Sequence, residues 1–182
     1  MTRKAIIVID LQNEYLPTGK LPLTGIEAAA ANAVKVIANA RANGVPVFHI
    51  QHIFANNEMP VFVPDSDGIK IQSTVLPAGN EPVIVKNYVN SFLKTNLRQL
   101  LEEQGIEDLV VVGAMSHMCV DAAVRAASDF GYGVTVLHDA CATLDLEFNG
   151  VKVPAEQVHA TMMAALAFAY AKVQSTSDYL AA

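Results

Sequence analysis

Basic charge is scarce in this 182-residue chain: 12 Lys and Arg stand against 18 Asp and Glu, a formal net charge of −6. No Lys/Arg cluster offsets that deficit, and nucleic acids and anionic membranes both demand a basic face, so neither is an expected partner. Nor does any apolar run approach the ~20 residues of a membrane span, although 52% of the residues are hydrophobic and the mean hydropathy is +0.31. Such an apolar excess predicts a closely packed core and self-association, as a homodimer or homotetramer. The opening MTRKAIIVID enters a strand-like run without the apolar region and cleavage site of a signal peptide, which predicts a cytoplasmic protein. With only two cysteines, Cys119 and Cys141, a reducing compartment favours free thiols over a disulfide. There is no G-x-S-x-G elbow, no phosphate loop and no G-x-G-x-x-G after a strand. Serine-hydrolase, nucleotide and dinucleotide readings therefore lack their anchors, and no cofactor is expected.

What the chain does have is alternation. Short β-branched runs at 4–10, 45–51, 82–86, 108–114, 133–139 and 172–176 are separated by helical patterns near 25–43, 91–104, 118–130 and 154–171. The runs are continuously apolar, which marks strands buried on both faces and hence a parallel sheet. Gly44, Gly105 and Gly131 follow three of the helices, and Pro154 opens the fourth. One domain over residues 1–182 is predicted, an α/β protein built as a three-layer α/β/α sandwich around a doubly wound, mainly parallel six-stranded sheet. No repeat, linker or low-complexity tract interrupts it. The irregular stretch 54–81 is long enough to be a lid or pocket wall.

Open parallel sheets bind ligands outside the carboxyl ends of their strands. The residues there are Asp10, Gln51 and His52, Lys86, the segment 114–119, and His138 with Asp139. Singly, each has a plain structural reading: Asp10 as a cap, Lys86 as a solvated lysine, Cys119 as a small buried hydrophobe. Together they describe a nucleophile, its base and an orienting cation. With the first and fourth strands adjacent, Asp10 and Cys119 emerge roughly 5 Å apart, and the long stem of Lys86 reaches both. The start of a helix near His117 would further favour a Cys119 thiolate. His49 and His52, three residues apart on a strand, point to opposite faces and cannot readily chelate one ion, so no metal is expected. Ser116 and His117 are read as pocket wall or helix cap, His138 and Asp139 as structural, Cys141 as packing.

Four segments, "VIDLQNEY", the lysine before "NYVNSF", "VVVGAMSHMCV" and "VLHDACAT", agree in order and spacing with a known family. Over nearly its whole length the chain resembles the isochorismatase-like cysteine hydrolases. The resemblance implies a catalytic Asp, Lys and Cys, falling on Asp10, Lys86 and Cys119, and a non-proline cis peptide falling on the Ala114–Met115 bond. Its implied use is to aim the Met115 N–H, with that of Cys119, at a developing oxyanion. Family members that cleave a vinyl ether carry a small residue at the cysteine position, so Cys119 favours amide or ureide hydrolysis through a thioester. The Asp-x-His by which nicotinamidases bind metal reads His52 and Phe54 here. Gln12, Tyr15, Phe54, Tyr88, His117 and Met118 are the expected pocket residues. None of the four arginines sits at a strand mouth to clamp a carboxylate, so a small uncharged or weakly polar amide is the expected substrate, unless the 54–81 stretch supplies Lys70. An isochorismatase-type vinyl-ether hydrolase and a non-enzymatic thiol sensor or binding module remain as alternatives.

Overall fold

The structure is a computed structural model and describes residues 3–56 and 59–182. In chain order its strands are β1 (Lys4–Ile9), β2 (Val47–His52), β3 (Val83–Lys86), β4 (Asp108–Ala114), β5 (Gly133–Ala142), β6 (Leu146–Phe148), β7 (Val151–Val153) and β8 (Lys172–Gln174). Its α-helices are α1 (Ile26–Ala42), α2 (Leu97–Glu103), α3 (Asp121–Asp129), α4 (Ala155–Ala169) and α5 (Thr176–Ala181). Six strands form one sheet in the order β3-β2-β1-β4-β5-β8, every neighbouring pair parallel. This is the doubly wound sandwich the alternation predicts.

The continuous apolar runs are explained by burial on both faces. Ala5, Ile7 and Ile9 of β1 pack with Leu97, Leu101, Val124 and Leu166 from the helices on one face. Ile6 and Val8 pack with Ala33, Val36 and Ile37 of α1 on the other. Gly44, Gly105 and Gly131 all have positive φ beyond helix ends, the left-handed stop that glycine adopts without penalty.

Several details depart from the sequence expectation. Residues 90–95 form turns held by Asn90 and Thr95 side chains, so α2 begins at Leu97 rather than near 91. The expected helix near 118 is two pieces, a wide π-type turn over Ser116–Val120 and then α3. Strand β5 runs on to Ala142, past the expected end at 139, which places Cys141 inside the sheet beside Gly113. The β6–β7 hairpin and α5 were not expected. The hairpin turns at Asn149 and Gly150, both of positive φ, and Asp139 caps α5 by accepting from the Thr176 N–H and hydroxyl at 2.7 Å each. Of the irregular stretch 54–81, residues 57 and 58 lie outside the described residues; the rest folds back so that the Lys70 carbonyl accepts from the Asn13 N–H and Ile71 bridges Gln12. Among the described residues no helix is long and apolar enough to cross a membrane.

Candidate active site

Because β1 and β4 are neighbours at the point where the strand order reverses, the residues leaving their carboxyl ends converge. Gly113 makes the approach possible. It pairs with Ile9, has φ +126°, and a Cβ there would collide with the Ile9 carbonyl. The next residue of β1's exit, Asp10, adopts φ +51°, a left-handed conformation that Asp tolerates better than most side chains. After β4 the Ala114–Met115 peptide is cis, and the π-type turn that follows carries Cys119. Lys86 ends β3 directly opposite His52, the last residue of β2.

The Lys86 side chain is wholly buried, and its ammonium joins these strand ends. Nζ lies 2.8 Å from Asp10 Oδ2 and donates to Cys119 Sγ at 3.2 Å, to His52 Nδ1 at 3.1 Å and to the Tyr88 carbonyl at 3.1 Å. A buried ammonium costs several kcal/mol unless it is paired and hydrogen-bonded, and here it is both. Asp10 is completely buried, and its Oδ1 has no hydrogen-bond partner among the described residues. The carboxylate and the thiol are close enough for each to shift the other's ionisation.

Burial governs the charges. It lifts the Asp10 carboxyl above its usual range, against the pull of Lys86. It also lifts the Cys119 thiol, and the Asp10 charge adds to the effect while Lys86 opposes it. Enclosure and the neighbouring carboxylate thus push the thiol away from the thiolate that a helix start would favour. Burial alone would lower Lys86, but Asp10 and Cys119 raise it, so it stays an ammonium. The arrangement is a protonated thiol beside a poorly solvated carboxylate, bridged by a fixed cation.

A model of the isochorismatase domain matches residues 4–178. The chain belongs to the isochorismatase family of hydrolases. An isochorismatase family protein of Bacillus subtilis is 48% identical over 176 residues, covering 97% of this chain and 98% of that one. A crystal structure of an isochorismatase hydrolase from Oleispira antarctica superimposes with a TM-score of 0.96 at 49% identity, covering 100% of this chain and 97% of that one. An N-carbamoylsarcosine amidase from Arthrobacter is 33% identical over 147 residues, covering 71% of this chain and 56% of that enzyme.

In this isochorismatase-family chain the expected pocket residues separate into two groups. Gln12 and Tyr15 are buried and do not line an open pocket. The Gln12 amide clamps the end of β2 instead: its Oε1 accepts from the His52 N–H at 2.8 Å, and its Nε2 donates to the carbonyls of His52 at 2.9 Å and Ile69 at 2.8 Å. Tyr15 packs edge-on against Phe62. Tyr88 and Met118 are exposed, Phe54 and His117 half-buried. The His117 ring is held by Thr143 Oγ1 at 2.6 Å, and Ser116 is buried against His159, so Ser116 faces away from solvent. Lys70 pairs with Asp67 on the surface. His52 is the residue sequence reasoning missed. Its place at a strand mouth was legible, but its contact with Lys86 depends on the β2–β3 register.

Proposed function

We propose that this chain is a cysteine-dependent hydrolase of a small amide or ureide C–N bond, with Asp10, Lys86 and Cys119 as its catalytic residues. The observation that carries the reading is the single buried ammonium within reach of both a nucleophile and a base. An isochorismatase-family relative that is an N-carbamoylsarcosine amidase supports the bond class.

The chemistry follows from the charges. Cys119 passes its thiol proton to Asp10 as Sγ bonds to the substrate carbonyl carbon, so the thiolate is generated only when its electron pair is being used. The carbonyl π electrons move to oxygen, and the oxyanion is stabilised by the N–H groups of Met115 and Cys119. Collapse breaks the C–N bond, and Asp10 returns the proton to the departing nitrogen. Asp10 then accepts a proton from water as it attacks the thioester, and the Cys119 sulfur leaves with that proton. Lys86 keeps its proton throughout and offsets the negative charge shared between Asp10 and Cys119.

Ammonia or amine release from a panel of small uncharged amides and ureides tests the reading. Cys119→Ala and Asp10→Ala should each lower turnover by at least about 10³-fold with the fold retained. Near-normal amide hydrolysis by Cys119→Ala would overturn it, and isochorismate cleavage surviving Cys119→Ser would move the chain to vinyl-ether chemistry. The proposal includes a homo-oligomer, supported by the exposure of Phe168 at 92% and Phe148 at 77%; sedimentation of the purified chain as a monomer at micromolar concentration would remove that part.

A further inference from the structure

Four acceptors surround an ammonium that has three N–H groups: Asp10 Oδ2, Cys119 Sγ, His52 Nδ1 and the Tyr88 carbonyl. Two of these belong to the reacting groups and the third is main chain. The fourth, the His52 ring, has no part in the chemistry above, yet it is buried and held from several sides. Its backbone is gripped on both sides by the Gln12 amide. Its ring is boxed edge-on by Phe54 at 4.6 Å and Phe62 at 5.2 Å between centroids. Its place opposite Lys86 is set by the β2–β3 ladder.

We infer that His52 is a positioning residue for the catalytic ammonium: its Nδ1 lone pair fixes the Lys86 Nζ so that the remaining N–H groups face Asp10 and Cys119. The inference rests on the Asp10, Lys86 and Cys119 reading and adds to it a residue that acts through Lys86. A role of this kind requires a histidine that never charges, since an imidazolium would have no lone pair for Lys86 and would repel it. Burial, helped by the Lys86 charge and opposed by a hydrogen bond to the Tyr88 backbone, lowers His52 to about 3, so the ring is neutral at ordinary pH; a lone pair on Nδ1 for Lys86 requires the ring proton to sit on Nε2. The charged and titratable groups gathered here are Asp10, Lys86 and Cys119, with the buried Tyr15 hydroxyl nearby held protonated by burial and by the Asp10 charge. Asp10 and Lys86 act on the Cys119 sulfur directly, whereas His52 acts on it through Lys86.

The experiment needs no substrate. The rate of Cys119 alkylation by iodoacetamide, followed by peptide mapping from about pH 6 to 10, reports the thiolate fraction, and Cys141, also buried, reports in the same digest whether the core has opened. His52→Phe and His52→Leu remove the acceptor and keep apolar bulk. His52→Asn keeps an oxygen acceptor close to the position of Nδ1. Lys86→Met is the control. The expected result is Cys119 alkylation about tenfold slower at fixed pH in His52→Phe and His52→Leu, corresponding to an apparent pKa about one unit higher, and within about threefold of wild type in His52→Asn. If Lys86→Met slows the sulfur but neither apolar variant does, the positioning role is overturned and the catalytic reading stands. If Lys86→Met leaves it unchanged, the coupling between Lys86 and Cys119 fails, and both readings fall with it. Faster alkylation in His52→Phe would mean that His52 competes with the thiol for Lys86, the opposite of the proposal. Should both apolar variants expose Cys141, His52 holds the fold rather than the ammonium, and the proposal is equally overturned.

Discussion

Strand β2 contributes a buried histidine to each of two polar clusters at opposite ends of the sheet, and the two clusters are built to different ends. Towards the amino ends, His49 meets Glu81 at 3.0 Å, and Glu81 also takes both Arg41 Nε and Nη2 at 2.8 Å each and the Ala78 N–H at 2.9 Å. At the carboxyl ends, His52 meets Lys86, which reaches Asp10 and Cys119. Both carboxylates are shielded and both are paired with a cation. Burial alone would raise Glu81, but Arg41, the Ala78 N–H and His49 outweigh it and bring the carboxyl from 4.5 down to about 2. Asp10 moves the other way, because total burial outweighs its pairing with the Lys86 ammonium and its contact with the Cys119 thiol. A saturated carboxylate is held in its charged form, whereas an under-solvated one next to a thiol has its proton affinity raised. The difference lies in how many donors each receives rather than in the presence of a salt bridge.

The sharpest way to break this comparison is to remove the cation from each cluster. Lys86→Met should cut amide turnover by at least about 10³-fold, and it should also destabilise the fold by about 3 to 5 kcal/mol, because Asp10 is then left buried and uncompensated. Arg41→Met should leave turnover unchanged, since nothing in its cluster reaches the sulfur. Equal losses of activity in the two variants, read under saturating substrate and with folding checked by circular dichroism, would erase the distinction.

Proton linkage separates the two clusters next. Glu81 has a folded pKa below its unfolded value, so its contribution to stability is complete above about 4.5 and is lost as pH falls toward about 2. Glu81→Gln should therefore be less stable than wild type at neutral pH by about 1 to 3 kcal/mol, allowing for the partly exposed Arg41 partner, and the gap should close on acidification. Urea unfolding at neutral pH and at or below about pH 2 measures both. A gap that persists in acid would show that Glu81 acts by packing rather than by charge. Asp10 carries the opposite sign: its raised carboxyl is relieved, not harmed, as pH falls through its folded value.

Much of this was legible before any coordinates. Asp10 and Lys86 could be found because each closes an apolar run that reveals a buried parallel strand, and Cys119 because it stands in the turn just beyond a third such run. Three glycines of positive φ marked helix ends for the same reason that only glycine sits there at no penalty. Other features depend on partners that a linear pattern does not show. His52 reads as one of several strand-mouth residues until the register puts it opposite Lys86, and Gln12 looks like a pocket residue until its amide is seen to bind the end of β2 at His52. The thiol misled for a different reason: a helix start suggests a low pKa, whereas the degree of enclosure and the sign of the nearest charge decide it. The β6–β7 hairpin had its signal in Asn149-Gly150, but strands of three residues are too short for periodicity to register.

The smallest predicted effect concerns the geometry of the Arg41 fork. Two nitrogens of the guanidinium meet the two Glu81 oxygens separately, and Nη2 also donates to the Leu76 carbonyl at 2.9 Å. Lysine keeps the charge but offers one nitrogen where the fork offers two in a fixed plane, so Arg41→Lys preserves the Coulomb attraction and loses the bidentate contact together with the tie to the 76–81 segment. Because Arg41 is partly exposed, water replaces part of what is lost, and the expected cost is about 0.5 to 1 kcal/mol in urea unfolding, with amide turnover unaltered. The pH dependence should also respond: with fewer donors on Glu81 its carboxyl rises toward the ordinary range, and the acid loss of stability begins at higher pH than in wild type. A variant whose acid midpoint stays in place would show that the Ala78 N–H and His49 alone hold Glu81 down. Saturation of the carboxylate at this end would then be a property of the backbone and of β2, and the contrast with Asp10 would rest on its two neighbours, the Lys86 ammonium and the Cys119 thiol.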